Sequence, residues 1–202
     1  MKKIWIVGVM VLLLTGCTVV RIDTQSIDTT VNVVLSKPNT LYNRIGKGYK
    51  YYVPRGVTYI DTNELNDKLY SNGTYYYLYV DAISYYYKKD ITYKENTKAY
   101  YSRSIQTNGK KGYLEINKID KDKYFIEFLY NYAKIEAIAP KSEINAVILN
   151  ASYILSTVKF NNNVVKLMLN DNYFINKEEK YDVFSTKKKS NYFLEYVEDK
   201  KK

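Results

Sequence analysis

The chain of 202 residues contains no histidine and a single cysteine, with only three prolines and one tryptophan. Without histidine, zinc centres built from Cys and His are excluded. So are Ser-His-Asp and Cys-His nucleophilic systems, and any imidazole general base. Carboxylates, lysines, tyrosines and hydroxyls are left for catalysis, and a hydrolase using two acids is the enzymatic scheme that remains open. One cysteine cannot form a disulfide within the chain. Gly46-Lys47-Gly48 is no phosphate loop, because the rest of a Walker or dinucleotide-binding pattern is missing. No cofactor is expected, there is no internal repeat, and after residue 20 no apolar run is long enough to cross a bilayer.

What is present begins with Met1-Lys2-Lys3, a short basic start. An apolar run from Ile4 to Leu14 follows, interrupted only by Gly8, and then Leu14-Thr15-Gly16-Cys17. A basic start, an apolar stretch and small residues before a cut form the secretory signal pattern. The last four residues resemble the lipobox of bacterial lipoprotein signal peptides, Leu-x-(Gly/Ala)-Cys. The resemblance implies that the Cys17 sulfur receives a diacylglycerol and that the chain is cut just before it. Residues 1–16 are then a signal peptide, 17–25 a lipidated tether, and 26–202 a single α+β domain with a helical C-terminal region. The alternative is an uncleaved span, for which Ile4 to Val20 lies at the lower limit of the roughly 17–25 residues needed. Two acyl chains, each buried CH₂ contributing about 0.8 kcal/mol, hold firmly. The expected partner is thus membrane lipid through acylated Cys17, at the extracytoplasmic face.

The formal charge is +10. Loss of Lys2 and Lys3 with the signal, 10 − 2, leaves +8. Lys187-Lys188-Lys189 and Lys200-Lys201-Lys202 can support an anionic membrane surface, each lysine adding about 1 kcal/mol, or form a solvated turn and tail. Nucleic acid is not an expected partner, since no matching motif is present. The 25 tyrosines accompany an excess of Lys, Asn and Ile, as the codon usage of an AT-rich genome produces.

Along the chain, Ile27, Val31, Val34 and Leu35 form one apolar helical face behind Ser26, ended by Pro38. Tyr49 to Val53 and Val57 to Ile60 read as strands, and Asn63 to Leu69 as a polar connection. Thr74 to Tyr87 reads as one long strand. Its odd positions carry Tyr75, Tyr77, Tyr79, Asp81, Ile83, Tyr85 and Tyr87, and its even positions Tyr76, Leu78, Val80, Ala82, Ser84 and Tyr86 suit a core. Ala99 to Ile105 and Tyr113 to Ile119 are strands around an Asn108-Gly109 hairpin signal. Tyr124 to Ala139 is predicted as one final strand. Ile144, Val147, Ile148, Ala151, Ile154, Leu155 and Val158 keep a helical period. Shorter helices are expected at Val164 to Leu169 and Asn191 to Glu198. Together these give an α+β fold, an antiparallel sheet of about five to seven strands backed by two or three helices.

Two short patterns are similar to the PsbP-like family. Tyr49-Lys50-Tyr51-Tyr52-Val53-Pro54 is an aromatic strand running into a proline, and Ser156-Thr157-Val158-Lys159-Phe160 is a Ser-x-x-Phe-like close to a helix. The likeness spans residues 45–160. The tryptophan that often follows the proline is absent, since positions 55–57 are Arg-Gly-Val. The resemblance implies helices backing an antiparallel sheet and a mostly non-catalytic accessory role.

The candidate binding residues are Tyr75, Tyr77, Tyr79, Tyr85 and Tyr87, whose rings can stack on sugars or a protein, or simply pack beneath helices. Asp81 interrupts that ladder where acids are depleted. Enclosed, it becomes a candidate acid; a cross-strand partner would neutralise it. Lys134 and Glu136 share one face of the final strand, and Glu127 lies on the opposite face. Arg55 follows Pro54 at a strand end and can meet an anion. The sequence therefore points to a non-enzymatic binding or accessory domain for an envelope protein or glycan. The rival is a carboxylate-based cell-envelope hydrolase using Asp81 with Glu127 or Glu136, which requires two acids about 5–10 Å apart in a cleft.

Overall fold

A computed structural model describes residues 27–63 and 65–170. The expected signal peptide, the tether with Cys17, and the Asn191–Glu198 helix lie outside the described residues. The elements run α1 (Ile27–Ser36), β1 (Arg44–Ile45), β2 (Tyr49–Tyr51), β3 (Thr58–Asn63), β4 (Asn66–Ser71), β5 (Thr74–Val80), α2 (Ala82–Tyr86), β6 (Tyr101–Thr107), β7 (Lys110–Asp120), β8 (Lys123–Tyr130), β9 (Ala133–Ala139), a 3-10 turn (Lys141–Glu143), α3 (Ile144–Thr157), β10 (Lys159–Phe160) and α4 (Asn162–Asn170). Seven strands form an antiparallel sheet in the order β3-β4-β5-β9-β8-β7-β6, and β1, β2 and β10 form a small second sheet with β2 in the middle. The fold is α+β, as the sequence predicts. Among the described residues no helix is long and apolar enough to cross a membrane.

The two longer helices arise where the 3.6-residue period is cleanest. α1 buries Val31, Val34 and Leu35, and α3 buries Ile144, Val147, Ile148, Ala151, Ile154 and Leu155. They pack on each other, and α3 packs on β8 and β9. The sheet offers them its Tyr76, Leu78, Val80, Leu114, Ile116, Ile126, Phe128 and Ile135 side chains. The even positions of β5 therefore do face the core.

Asp28, in the first turn of α1 where a negative charge is favoured, accepts from Arg103 Nη1 at 2.7 Å and from the Tyr101 hydroxyl at 2.7 Å. At the other end of the same helix, Asn108 Nδ2 donates to the Leu35 carbonyl at 2.9 Å. α1 thus runs along β6, with its start beside Tyr101 and its end beside the β6–β7 turn. That turn has positive φ at both Asn108 and Gly109, 52° and 70°, as a two-residue hairpin of this hand requires.

Three segments depart from the sequence reading. Asn63 to Leu69 is not a mere connection, because β4 occupies Asn66–Ser71. Its inward Asp67 is tolerated because three hydroxyls donate to it: Tyr51 at 2.6 Å, Thr62 at 2.6 Å and Tyr49 at 3.3 Å. This node ties β2 of the small sheet to β4 of the large one. The tyrosine-rich strand stops at Val80, where the Asp81 carboxylate accepts the Ser84 backbone N–H at 2.7 Å and caps α2. Tyr124 to Ala139 is a hairpin rather than one strand. Asn131 and Tyr132 both turn through positive φ, 53° and 62°, and separate β8 from β9.

Candidate functional site

The β8–β9 turn changes which side chains meet. Folding the chain back at Asn131-Tyr132 makes Glu127 and Glu136 direct cross-strand partners, and Glu115 on β7 is the partner of Glu127 in turn. Glu127 thus shares its sheet face with Lys134 and Glu136, contrary to the sequence reading. Three carboxylates stand in a row across three adjacent strands, on the face away from α1 and α3. Glu115, Glu127 and Glu136 are 2 %, 6 % and 0 % exposed, and Lys134 is 4 % exposed.

Lys134 is the ion-pairing cation of this row. Its Nζ lies 3.9 Å from Glu127 Oε2 and 2.8 Å from Glu136 Oε1, the latter a Coulombic contact outside hydrogen-bond geometry. Hydroxyls and amides supply the other contacts. Tyr113 donates to Glu127 at 2.6 Å and Tyr79 to Glu136 at 3.2 Å. Glu115 accepts from the Tyr93 hydroxyl, from Asn96 Nδ2 at 3.1 Å and from Asn117 Nδ2 at 2.8 Å. Burial raises the Glu136 carboxyl above its usual range, against the opposing pull of Lys134. Burial, and then the neighbouring carboxylates, push the Tyr79 and Tyr113 phenols far up, so both remain O–H donors.

The row is covered by residues 87–100, which carry no helix or strand. Ile91 packs on Tyr77, Tyr79 and Leu129. Tyr93 stacks flat on Tyr113, 4.2 Å between ring centres. Tyr132 donates to the Lys89 carbonyl at 3.0 Å, and the Ser104 backbone N–H donates to Glu95 at 2.9 Å. This strap encloses the acids. Among the described residues no group of three or more acids or cysteines is placed to hold a metal.

The predicted tyrosine ladder is therefore divided among three environments. Tyr77 and Tyr79 are buried under the strap and Tyr75 is half-buried, its ring 4.4 Å from Lys68 Nζ. Asp81, buried, spends its carboxylate on the α2 cap. Tyr85 stacks on Phe160 at 3.9 Å and donates to Asn162 at 2.7 Å. Tyr87 is exposed at the end of α2. No continuous stacking platform results, because the backbone stops alternating at Val80. Asp81 also does not join Glu127 and Glu136. It sits at the hairpin end of the sheet, where its backbone N–H donates to the Tyr132 carbonyl at 2.9 Å.

The open concavity lies elsewhere. A groove of about 740 Å³ is lined by Tyr42, Ile45, Lys47, Lys50, Lys159 and Phe160, by the Gly46-to-Gly48 loop, and by Val164 and Met168 of α4. That size is ordinary for a ligand site. Three lysines and no acid line it. The register of the small sheet sets Ile45 opposite Lys50, and Lys50 opposite Lys159, in one row. Lysines directly opposite one another repel. Lys110, whose ammonium is held below its usual value by burial and then by Lys159, adds a fourth cation beside them. Ile45, at 75 % exposed, together with exposed Leu41 and Tyr42, makes an apolar rim. The Asn161 backbone N–H donates to the Gly48 carbonyl at 2.8 Å and closes the loop onto the start of α4.

The sequence reading named none of these residues as a site. The Gly46-Lys47-Gly48 loop and the Lys159-Phe160 pair were both visible, but nothing in the sequence brings them together across more than 100 positions. In comparison with protein-family models and curated protein sequences, the chain matches none.

Proposed function

We propose that this chain is a membrane-anchored extracytoplasmic lipoprotein whose folded part is a non-enzymatic binding or accessory domain for an envelope protein or glycan. The observation that carries the reading is the open lysine-lined groove. There, partly exposed lysines and apolar side chains converge on a concavity. The lipobox residues Leu14 to Cys17 support the anchor, and the PsbP-like patterns at residues 49–54 and 156–160 support an accessory role.

The carboxylate hydrolase is the weaker reading. Glu127 and Glu136 stand side by side with one carboxyl raised, which suits acid chemistry in principle. Both acids nevertheless engage Lys134 and lie beneath the strap, and substrate has no open path to them among the described residues.

The anchor has a direct test. Metabolic labelling with a palmitate analogue is expected to mark the protein and sediment it with membranes. Cys17→Ser is expected to abolish the label and change the fractionation, leaving residues 1–16 uncut, since the thiol is the acyl acceptor and two acyl chains supply the membrane affinity. An unlabelled parent whose fractionation is unchanged by Cys17→Ser would sink the proposal.

A further inference from the structure

From the charge and shape of the groove, we infer that its occupant is an acidic polypeptide segment that also carries apolar side chains. This rests on the reading of the groove as the domain's binding site, and it names the partner's chemistry.

Three observations select that class. Lys50 and Lys159 face one another across the small sheet, and both line the groove together with Lys47. A carboxylate between opposed ammonium groups relieves their repulsion, and buried charge pairs of this kind fix both orientation and specificity. The walls are largely apolar, with Ile45, Val164, Met168 and Phe160. A partner bearing only charge would leave them wet, whereas alternating acidic and apolar side chains satisfy both surfaces.

The aromatic rings are also already engaged. Tyr42 has the Lys50 ammonium 3.8 Å from its ring centre, and Phe160 stacks on Tyr85 at 3.9 Å. Neutral sugars bind on open ring faces, and one face of each of these rings is already covered.

The groove lies at the hairpin end of the large sheet. Asn131 Nδ2 donates to the Val158 carbonyl at 3.4 Å, and the Asn131 backbone N–H to the Lys111 carbonyl at 3.0 Å. These bonds put the start of β10 at the β6–β7 and β8–β9 hairpin end of the sheet. α1 ends there too, at Leu35 and Ser36, whereas its first turn is held at Tyr101 and Arg103. Ile27, the first described residue, is therefore at the far end of α1. A ten-residue helix spans about 15 Å, so the groove lies beside the last turn of α1, about that far from its first turn.

The test uses full-length lipidated protein in discs of neutral phosphatidylcholine, panned against a random dodecapeptide display library. Enriched peptides are expected to place Asp or Glu next to Leu, Ile or Phe, and to shift the Met168 methyl resonance. Lys50→Glu with Lys159→Glu is expected to weaken the best peptide by at least about tenfold. Lys118→Glu with Lys121→Glu, on the remote β7–β8 hairpin, should leave it unchanged. Matching thermal midpoints guard against misfolding, and the Met168 shift reports on the groove without any substitution.

Enrichment without acidic residues, or binding indifferent to the Lys50/Lys159 pair, overturns the acidic-peptide assignment. The other outcome is capture of phosphatidylglycerol vesicles or purified wall polymer instead, with the same lysine dependence. That result overturns the assignment while the binding-domain reading survives. If peptides, vesicles and wall polymer all leave the Met168 resonance unmoved, both fall.

Discussion

Replacing Lys134 with methionine is expected to cost about 3–5 kcal/mol of folding stability near neutral pH, as breaking a buried ion pair from one side commonly does. Methionine matches the length of the lysine stem, so the loss is electrostatic rather than a cavity effect. It leaves Glu127 and Glu136 adjacent in a layer where each is nearly free of water. The Tyr113 and Tyr79 hydroxyls still donate, but neither carries charge. Adding Glu136→Gln to Lys134→Met is expected to restore much of the loss, because one carboxylate fewer then needs a cation. Urea denaturation of the two variants and the parent measures both effects. A single variant as stable as the parent would mean that water, not Lys134, solvates the row.

The same row sets a pH dependence with a definite sign. Glu136 binds its proton more tightly in the folded chain than at its usual value of 4.5, chiefly because burial disfavours the charged form. Folding therefore takes up a proton over the window above that value. Stability from this group is greatest below the window and declines as pH rises through it. Lys134 opposes the shift, so Lys134→Met widens the window upward, and its deficit should shrink on acidification toward about pH 5. Glu136→Gln alone is expected to flatten the parent's decline. Midpoints recorded across that range decide the matter, and a Lys134→Met deficit that grows on acidification contradicts the account.

These acids also show why part of the molecule was legible in sequence and part was not. α1 and α3 were readable because one amphipathic period runs unbroken through each and needs no knowledge of partners. The Asn108-Gly109 turn was readable because its residue types are those that tolerate positive φ. The Asn131-Tyr132 turn has no glycine, and tyrosine seldom adopts positive φ. The run Tyr124 to Ala139 accordingly carries no turn signal, although it exceeds the usual length of a strand. Alternation counted through a turn inverts everything beyond it, which is why the sequence puts Glu127 on the face opposite Lys134 and Glu136.

At Asp81 the strand-forming tyrosines on both sides concealed a cap, and the signal available was Ser84 three residues on, the spacing at which a capping carboxylate finds a backbone donor. The strap at 87–100 has no period to detect. The groove joins residues near positions 45 and 160, and only the fold makes them neighbours.

Gly112→Ala is expected to cost more than about 3 kcal/mol, above ordinary overpacking. The reason is close approach rather than backbone freedom. Gly112 is the cross-strand partner of Tyr130. A Cβ there would stand 2.1 Å from the Leu129 carbonyl oxygen and 2.9 Å from the Tyr130 Cα, both backbone atoms of β8. No rotamer relieves that contact, so β7 and β8 must part. Gly109, three residues earlier, gives the contrast. Nothing lies within 4 Å of its added Cβ, and the penalty comes from φ +70° alone, about 1–2 kcal/mol. Parting β7 from β8 at Gly112 also disturbs Tyr130, whose hydroxyl donates to the Thr107 carbonyl at 3.0 Å, and the neighbouring Lys110 that crowds Lys159. Gly112→Ala should therefore perturb the groove end of the sheet as well as lower the urea midpoint, whereas Gly109→Ala should lower the midpoint modestly and leave the Met168 methyl resonance in place. Equal losses at the two glycines would contradict the close packing of β7 on β8 from which both expectations are drawn.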